Sequence, residues 1–294
     1  MAGLSPVDGW TAFAILAKAA GYAATLLAMG GPLFLLSFPR ETERLGLRPL
    51  VVRVAVAAAA LLLAVLALRF GIRAARISGM GWAAMADPLM LGFVWDSPLG
   101  TAALWRGAGA ALVLLVVVPS RIALGVAVAG ASMIAVSYAQ VGHSLGEPRA
   151  WLAALLVLHL LAVAWWIGAL PPLRRAADRP DGAALLHGFG TIATGIVGLL
   201  VVAGVTFAWL VSGSPAALIG SAYGSTLLAK VALVSGLLAL AAANKLRLVP
   251  ALAEGRGGAA ASLRRSIAWE MAVVALVLLA TAALTTITTP PVVL

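Results

Sequence analysis

The chain carries three histidines and no cysteine, so its chemistry is limited from the start. Without thiols there are no disulfides, iron–sulfur clusters or thiolate metal sites. Metal ligands must come from imidazole, thioether, carboxylate or backbone groups. His159 is the most telling imidazole. It stands in the middle of WLAALLVLHLLAVAWWIGALPPL (151–173), a nearly wholly apolar run that continues through Trp165-Trp166 and Gly168 to a Pro171-Pro172 stop. His143 lies in Gln140-Val-Gly-His143-Ser144, and Met80, Met85 and Met90 recur at five-residue steps. Neutral imidazole binds copper in either oxidation state, and thioethers suit Cu(I). His143 and His159 are therefore the candidate metal ligands, with Met80, Met85 and Met90 as accessory ones. The bland alternatives are imidazoles hydrogen-bonded to neighbouring helices and methionines lying as apolar padding on the membrane surface. His187 reads as interfacial.

The elements that position these groups are membrane helices. The 294 residues are 63% hydrophobic and 10% charged, with a mean hydropathy of +1.08. That composition excludes a soluble domain and implies a single polytopic membrane domain over 1–294. Eight apolar segments, roughly 10–38, 50–70, 99–118, 121–141, 150–171, 184–211, 225–247 and 264–286, each approach the ~20 residues needed to cross a bilayer. The first is expected to be a retained helix and not a cleaved leader, because no basic n-region precedes it. Thirteen basic residues fall in or beside the odd-numbered connections: Arg40, Arg44, Arg48, Arg53, Arg121, Arg174, Arg175, Arg179, Lys245, Arg247, Arg256, Arg264 and Arg265. Four, Arg69, Arg73, Arg76 and Arg149, fall on the other side. The odd connections are then cytoplasmic and both termini outside, so the net charge of +10 reports topology and not nucleic-acid binding. The stretch 71–98, with Asp87 and Asp96, reads as the longest outer connection. Gly100…Arg106 resembles Gly224…Lys230, which suggests a parallel 4+4 repeat.

Ionisable groups within the membrane are costly and need partners. Here they are Lys18, Arg106, His159, Lys230 and Glu270, with Asn244 as a polar companion. Depth along the helices sets Glu270 near Asn244 and Lys245. Arg106 and Lys230 either snorkel outward or face the interior. His143 and His159 are separated by more than about 10 Å vertically if both helices are regular. They form one site only if the 142–149 loop dips inward; otherwise they are two stations on a path.

In their order and spacing these residues resemble the copper resistance protein D (CopD) family of bacterial inner-membrane proteins. The likeness rests on Gly142-His143, His159 with Trp165-Trp166-Ile-Gly168, Phe189-Gly190, Tyr223-Gly224…Lys230, Asn244-Lys-Leu-Arg247…Pro250, Leu263…Glu270, and Leu284…Pro290-Pro291. Gly30-Gly31…Phe34 and Gly100…Trp105-Arg106 agree with it. The resemblance implies eight inner-membrane helices, copper as the ion handled, and a periplasmic copper-binding partner of the CopC type supplied as a separate chain. It also implies that His143, His159, Lys230, Asn244 and Glu270 occupy family positions. The expected function is copper movement from periplasm to cytoplasm, without enzymatic activity or direct use of ATP. A copper-binding or chaperone-docking module at the outer face is the alternative. Haem redox chemistry fits worst, because no two histidines stand at matching depth for axial ligation.

Overall fold

The computed structural model describes residues 8–141, 149–212 and 222–287, apart from the side chains of 205, 207–212, 222–230 and 287. Among the described residues there is no β-strand, and eight helices are long and apolar enough to cross a membrane. In order they are α1 (Gly9–Ser37), the short α2 (Pro39–Arg44), α3 (Arg48–Ser78), a 3-10 turn (Gly81–Ala84) and α4 (Pro88–Trp95). Then come α5 (Pro98–Val113), extended as a 3-10 turn (Leu114–Val117), α6 (Arg121–Ala139), α7 (Arg149–Ala176) and α8 (Gly182–Ser212). Last are α9 (Ala222–Ala243), a π turn (Asn244–Leu248), α10 (Val249–Ala253) and α11 (Ala259–Ile287).

Three sequence expectations are corrected. The stretch 71–98 is not a loop. α3 continues past its apolar run through Arg69, Arg73 and Arg76, because Arg and Ala are good helix formers, and it stops only at Gly79, which adopts a φ of 71°. The rest of the stretch is ordered by caps. Asp87 Oδ1 accepts the Met90 N–H at 2.9 Å and Pro88 opens α4, while Ser97 Oγ accepts the Leu99 N–H at 3.2 Å and Pro98 opens α5. Second, Arg69 belongs to a membrane helix and not to a connection. Third, Pro171 and Pro172 do not stop α7, which runs on to Ala176. A proline inside a membrane helix is tolerated where neighbouring groups take up the freed carbonyls.

The chain divides into two compact units. One comprises residues 20–39 and 48–168. Its core includes the fully buried Met29, Phe34, Val51, Val113 and Ile134. In hydrocarbon, helices gain little from hiding apolar surface, so small residues that let backbones touch decide the packing. α1 crosses α7 where a Cβ on Gly30 would stand 2.6 Å from Gly168 Cα, and one on Gly168 would stand 2.6 Å from Gly30 C. α5 crosses α6 the same way, with a Cβ on Gly109 falling 2.6 Å from Gly130 O and the converse also 2.6 Å. Beside the first crossing, Trp165 Nε1 donates to Ser37 Oγ at 2.9 Å, and Ser37 Oγ donates to Leu33 O at 2.9 Å. Arg48 Nη2 donates to Val116 O and Val118 O at 3.4 and 3.3 Å, closing the carbonyl end that follows α5. Trp82, Trp95 and Trp151 stay exposed around the end where α3 closes and α5 and α7 open.

The other unit comprises residues 1–19, 40–47 and 169–294. Leu47, Leu185, Leu263 and Thr42 are among its fully buried side chains. Arg264 Nη1 pairs with Asp178 Oδ2 at 2.9 Å, and Arg44 Nη1 lies 3.6 Å from Asp181 Oδ2. Lys18 Nζ donates to Thr285 O at 2.8 Å, so a cation meets the carbonyl end of α11.

The glycine crossings make a sharp prediction. Gly30→Val or Gly168→Val forces two backbones apart and should cost about 2 kcal/mol or more. Gly125→Ala, where nothing lies within 4 Å, should be neutral. Thermal unfolding of the three variants in one detergent checks the ranking.

Candidate functional site

Two polar centres and one imidazole interrupt the hydrocarbon faces. His159 lies ten residues into α7, half-buried, with Leu158 exposed beside it. It engages in a polar or ring contact and is neither sealed in the core nor laid bare. The other expected ligands are distributed along the same unit. Met80 is 61% exposed before the 3-10 turn, and Met85 follows that turn with its methyl 3.3 Å from where a Gly71 Cβ would stand. Met90 sits in the first turn of α4. His143 and the side chain of Lys230 lie outside the described residues. Among the described residues no three His, Asp or Glu side chains come together as a metal-ligand cluster. His187 is exposed near the start of α8.

In the unit containing α9 to α11, the chain sets a carboxylate against an amide. Glu270 of α11 is 3% exposed and Asn244 is 8% exposed, and Asn244 Nδ2 donates to Glu270 Oε1. The local backbone explains why Asn244 points there. Pro250 has no N–H to return to the carbonyl four residues back, and the helix before it widens into the π turn, in which the Val249 N–H reaches Asn244 O. One extra residue in the turn rotates Asn244 onto α11. The neighbouring Lys245 lays its stem over Gly190, 3.3 Å from a Cβ placed there, and its Nζ donates to Thr194 Oγ1. So Asn244 and Lys245, adjacent in sequence, tie α11 and α8 to the same turn.

In the unit containing α3 and α5, Arg106 does not snorkel. It is 7% exposed, its Nε donates to Ser137 Oγ at 3.0 Å, and its guanidinium carbon lies 3.8 Å from the centroid of the Tyr138 ring. Tyr138 OH and Thr25 Oγ1 share a hydrogen bond of 3.0 Å, and Tyr22 stands 6.3 Å from Tyr138 between ring centroids. Arg69 completes the group, with Tyr138, Tyr22 and Arg106 as its electrostatic neighbours. Sequence reasoning missed Arg69, Tyr22, Thr25, Ser137 and Tyr138. The available signal was the buried stripe Ala58, Leu62, Val65, Ile72 on α3, whose spacing includes position 69.

Residues 9–148 match the model of the copper resistance protein D-like N-terminal domain, and residues 183–284 match that of copper resistance protein D. The chain belongs to the copper resistance protein D family. Copper resistance protein D of Pseudomonas syringae pv. tomato is 31% identical over 293 residues, covering 90% of this chain and 93% of that protein. No solved structure matches the chain. Membership and the eight spanning helices make it a multi-pass inner-membrane protein with a role in copper resistance. The family match at 183–284 includes Asn244 and Glu270, and the match at 9–148 includes Arg69, Arg106 and Tyr138.

Removing the buried carboxylate should separate hydrogen bonding from charge. Glu270→Leu leaves Asn244 Nδ2 without its acceptor and should lower stability by about 1–2 kcal/mol, the scale of a polar contact between membrane helices. Glu270→Gln keeps an acceptor and should retain most of that stability. Unfolding midpoints of the two purified variants, measured side by side, decide it.

Proposed function

We propose that this protein moves copper across the inner membrane from periplasm to cytoplasm, with copper as cargo and not as a resident cofactor. The observation that carries this reading is His159, a half-buried imidazole near the middle of the 28-residue α7 in a member of a copper resistance family. Nothing in the packing of a membrane helix requires an imidazole at that depth, and its lone pair is a competent copper ligand.

On this reading both termini face the periplasm, by the asymmetry of basic residues. The outer end of the 20–39/48–168 unit then carries the entry groups. The thioether of Met80 is accessible there, Met85 follows the 3-10 turn, Met90 lies in the first turn of α4, and His143 falls in the separate stretch of sequence between α6 and α7. Copper would pass from these to His159 by ligand exchange, one donor replacing another before the ion is free. Few and separated donors suit passage, since a tight multidentate cage holds its ion. A periplasmic copper-binding protein of the CopC type would deliver the ion, and a cytoplasmic acceptor or the membrane potential would drive it inward. The competing reading is a docking or assembly module that holds copper at the outer face without passing it on; it needs His143 and the methionines but not His159.

The two are separated by one variant. His159→Ala should insert normally and lose copper-dependent accumulation, read as cell-associated copper by mass spectrometry in cells expressing equal amounts of protein. Uptake at the wild-type level in that variant would remove His159 from the mechanism and favour the docking module. Met80→Leu, by contrast, should lower accumulation only at limiting copper.

A further inference from the structure

An open cleft lies between α3, α4 and α5, and the copper reading does not use it. Its volume is ≈ 540 Å³, and its walls include Leu63, Leu66 and Phe70 of α3, Leu91 and Trp95 of α4, and Gly107 of α5. Every side chain that lines it is apolar, apart from the indole N–H of Trp95. Leu63, Leu66 and Phe70 form one stripe on α3. The stripe rises about 10 Å from Leu63 to Phe70, so the cleft runs along the helices and not across them. Gly107 explains the gap, because it puts no side chain between α5 and α3. A Cβ there would stand 3.8 Å from Leu66 Cδ2 and 4.0 Å from Leu63 Cδ2, an ordinary contact that the chain leaves unmade. Phe70 and Trp95 bound the end nearer the close of α3, edge to face with ring centroids 6.2 Å apart.

A hollow of this kind forfeits dispersion contacts unless something fills it. Its size falls among small-ligand sites, about 300–1,000 Å³. On a spanning face, an apolar groove parallel to the helices fits a hydrocarbon chain. The groups at the Phe70–Trp95 end specify what that chain is attached to. Arg73 stands three residues past Phe70, on the adjoining face of α3, and is exposed. Asp96 follows Trp95 directly, at the C-terminal cap of α4, and is also exposed. Neither takes part in an ion pair among the described residues, where the pairs involve Arg44, Arg256 and Arg264. The other charged groups of this end are placed differently. Asp87 Oδ1 accepts the Met90 N–H, Arg69 has Tyr138 and Tyr22 as neighbours, and Arg76 lies a further turn along α3. The exposed indole of Trp95 puts this end at headgroup level.

We propose that the cleft between α3, α4 and α5 holds an acyl chain of one phosphatidylethanolamine, with the lipid phosphate at Arg73 and its ammonium at Asp96. The guanidinium fork matches phosphate oxygens. A carboxylate accepts hydrogen bonds from a primary ammonium, which has three N–H donors. One cation and one anion on the rim thus complement a zwitterionic headgroup. Phosphatidylglycerol carries no ammonium for Asp96, and the quaternary ammonium of phosphatidylcholine has no N–H to donate. The lipid tail supplies the contacts that Gly107 leaves unmade.

The test uses the full chain, delipidated in detergent. It is offered an equimolar mixture of phosphatidylethanolamine, phosphatidylglycerol and phosphatidylcholine with identical acyl chains, and retained lipid is counted by native mass spectrometry. The wild type should retain one phosphatidylethanolamine in preference to the other two, and its unfolding midpoint should rise when that lipid is added alone. Gly107→Leu, which fills the cleft, should lose retention of all three. Arg73→Gln should weaken retention about fivefold, the scale of one basic residue at a lipid surface. Asp96→Asn should still bind lipid but lose the preference for phosphatidylethanolamine. If Gly107→Leu fails to fold, the Arg73 and Asp96 variants, both at exposed positions, decide. Equal retention of the three lipids by the wild type, a preference for phosphatidylglycerol, or unchanged retention and selectivity in the Arg73 and Asp96 variants would overturn the site.

Discussion

The contact between Gly30 and Gly168 is the constraint on which much of the 20–39/48–168 unit depends. Hydrocarbon offers helices no hydrophobic reward for meeting, so the distance at which they meet is set by what the smallest side chains allow. With a hydrogen atom on each side, α1 and α7 come together at backbone distance. That crossing fixes the Trp165–Ser37 hydrogen bond one turn away. It fixes the height of His159, nine residues before Gly168 on α7, and of Tyr22 and Thr25, eight and five residues before Gly30 on α1. His159 and the two α1 members of the arginine–tyrosine group, Tyr22 and Thr25, are thus held by one pair of helices braced at one point.

The polar centres of the two units answer the same energetic demand in opposite ways. Glu270 is a buried acid that accepts the Asn244 amide presented by a π turn. Arg106 is a buried base and Arg69 a half-buried one, arranged around phenols and hydroxyls. The first is largely satisfied within the chain. The second keeps two permanent positive charges in one group, which a bare copper cation would avoid.

Most of the fold was legible, because a membrane helix is announced by the length of an apolar run and by little else. All eight runs appear as helices, and the errors lie at their ends. α3 outlasted its apolar run by a stretch rich in Arg and Ala, which is helical by propensity but polar by hydropathy. α7 passed through Pro171 and Pro172, because a membrane helix tolerates what ends a soluble one. Both errors had consequences for the sites: reading α3 as finished at residue 70 put Arg69 at a surface. The Asn244–Glu270 contact followed from depth arithmetic on two neighbouring helices. The Arg106–Tyr138 contact did not, since a tyrosine near the end of a helix looks like an interfacial residue until its partner on the next helix is known.

Trp82, Trp95 and Trp151, exposed at one end of the unit, have a bearing on all of this. Indole rings prefer the boundary between headgroups and acyl chains. Three of them at one rim act as floats that hold this end of the unit at a set level whatever the thickness of the bilayer beneath. Thickening or thinning the membrane would then be absorbed at the opposite rim, and the arginine pair would keep a constant distance from the plane of the lipid phosphates.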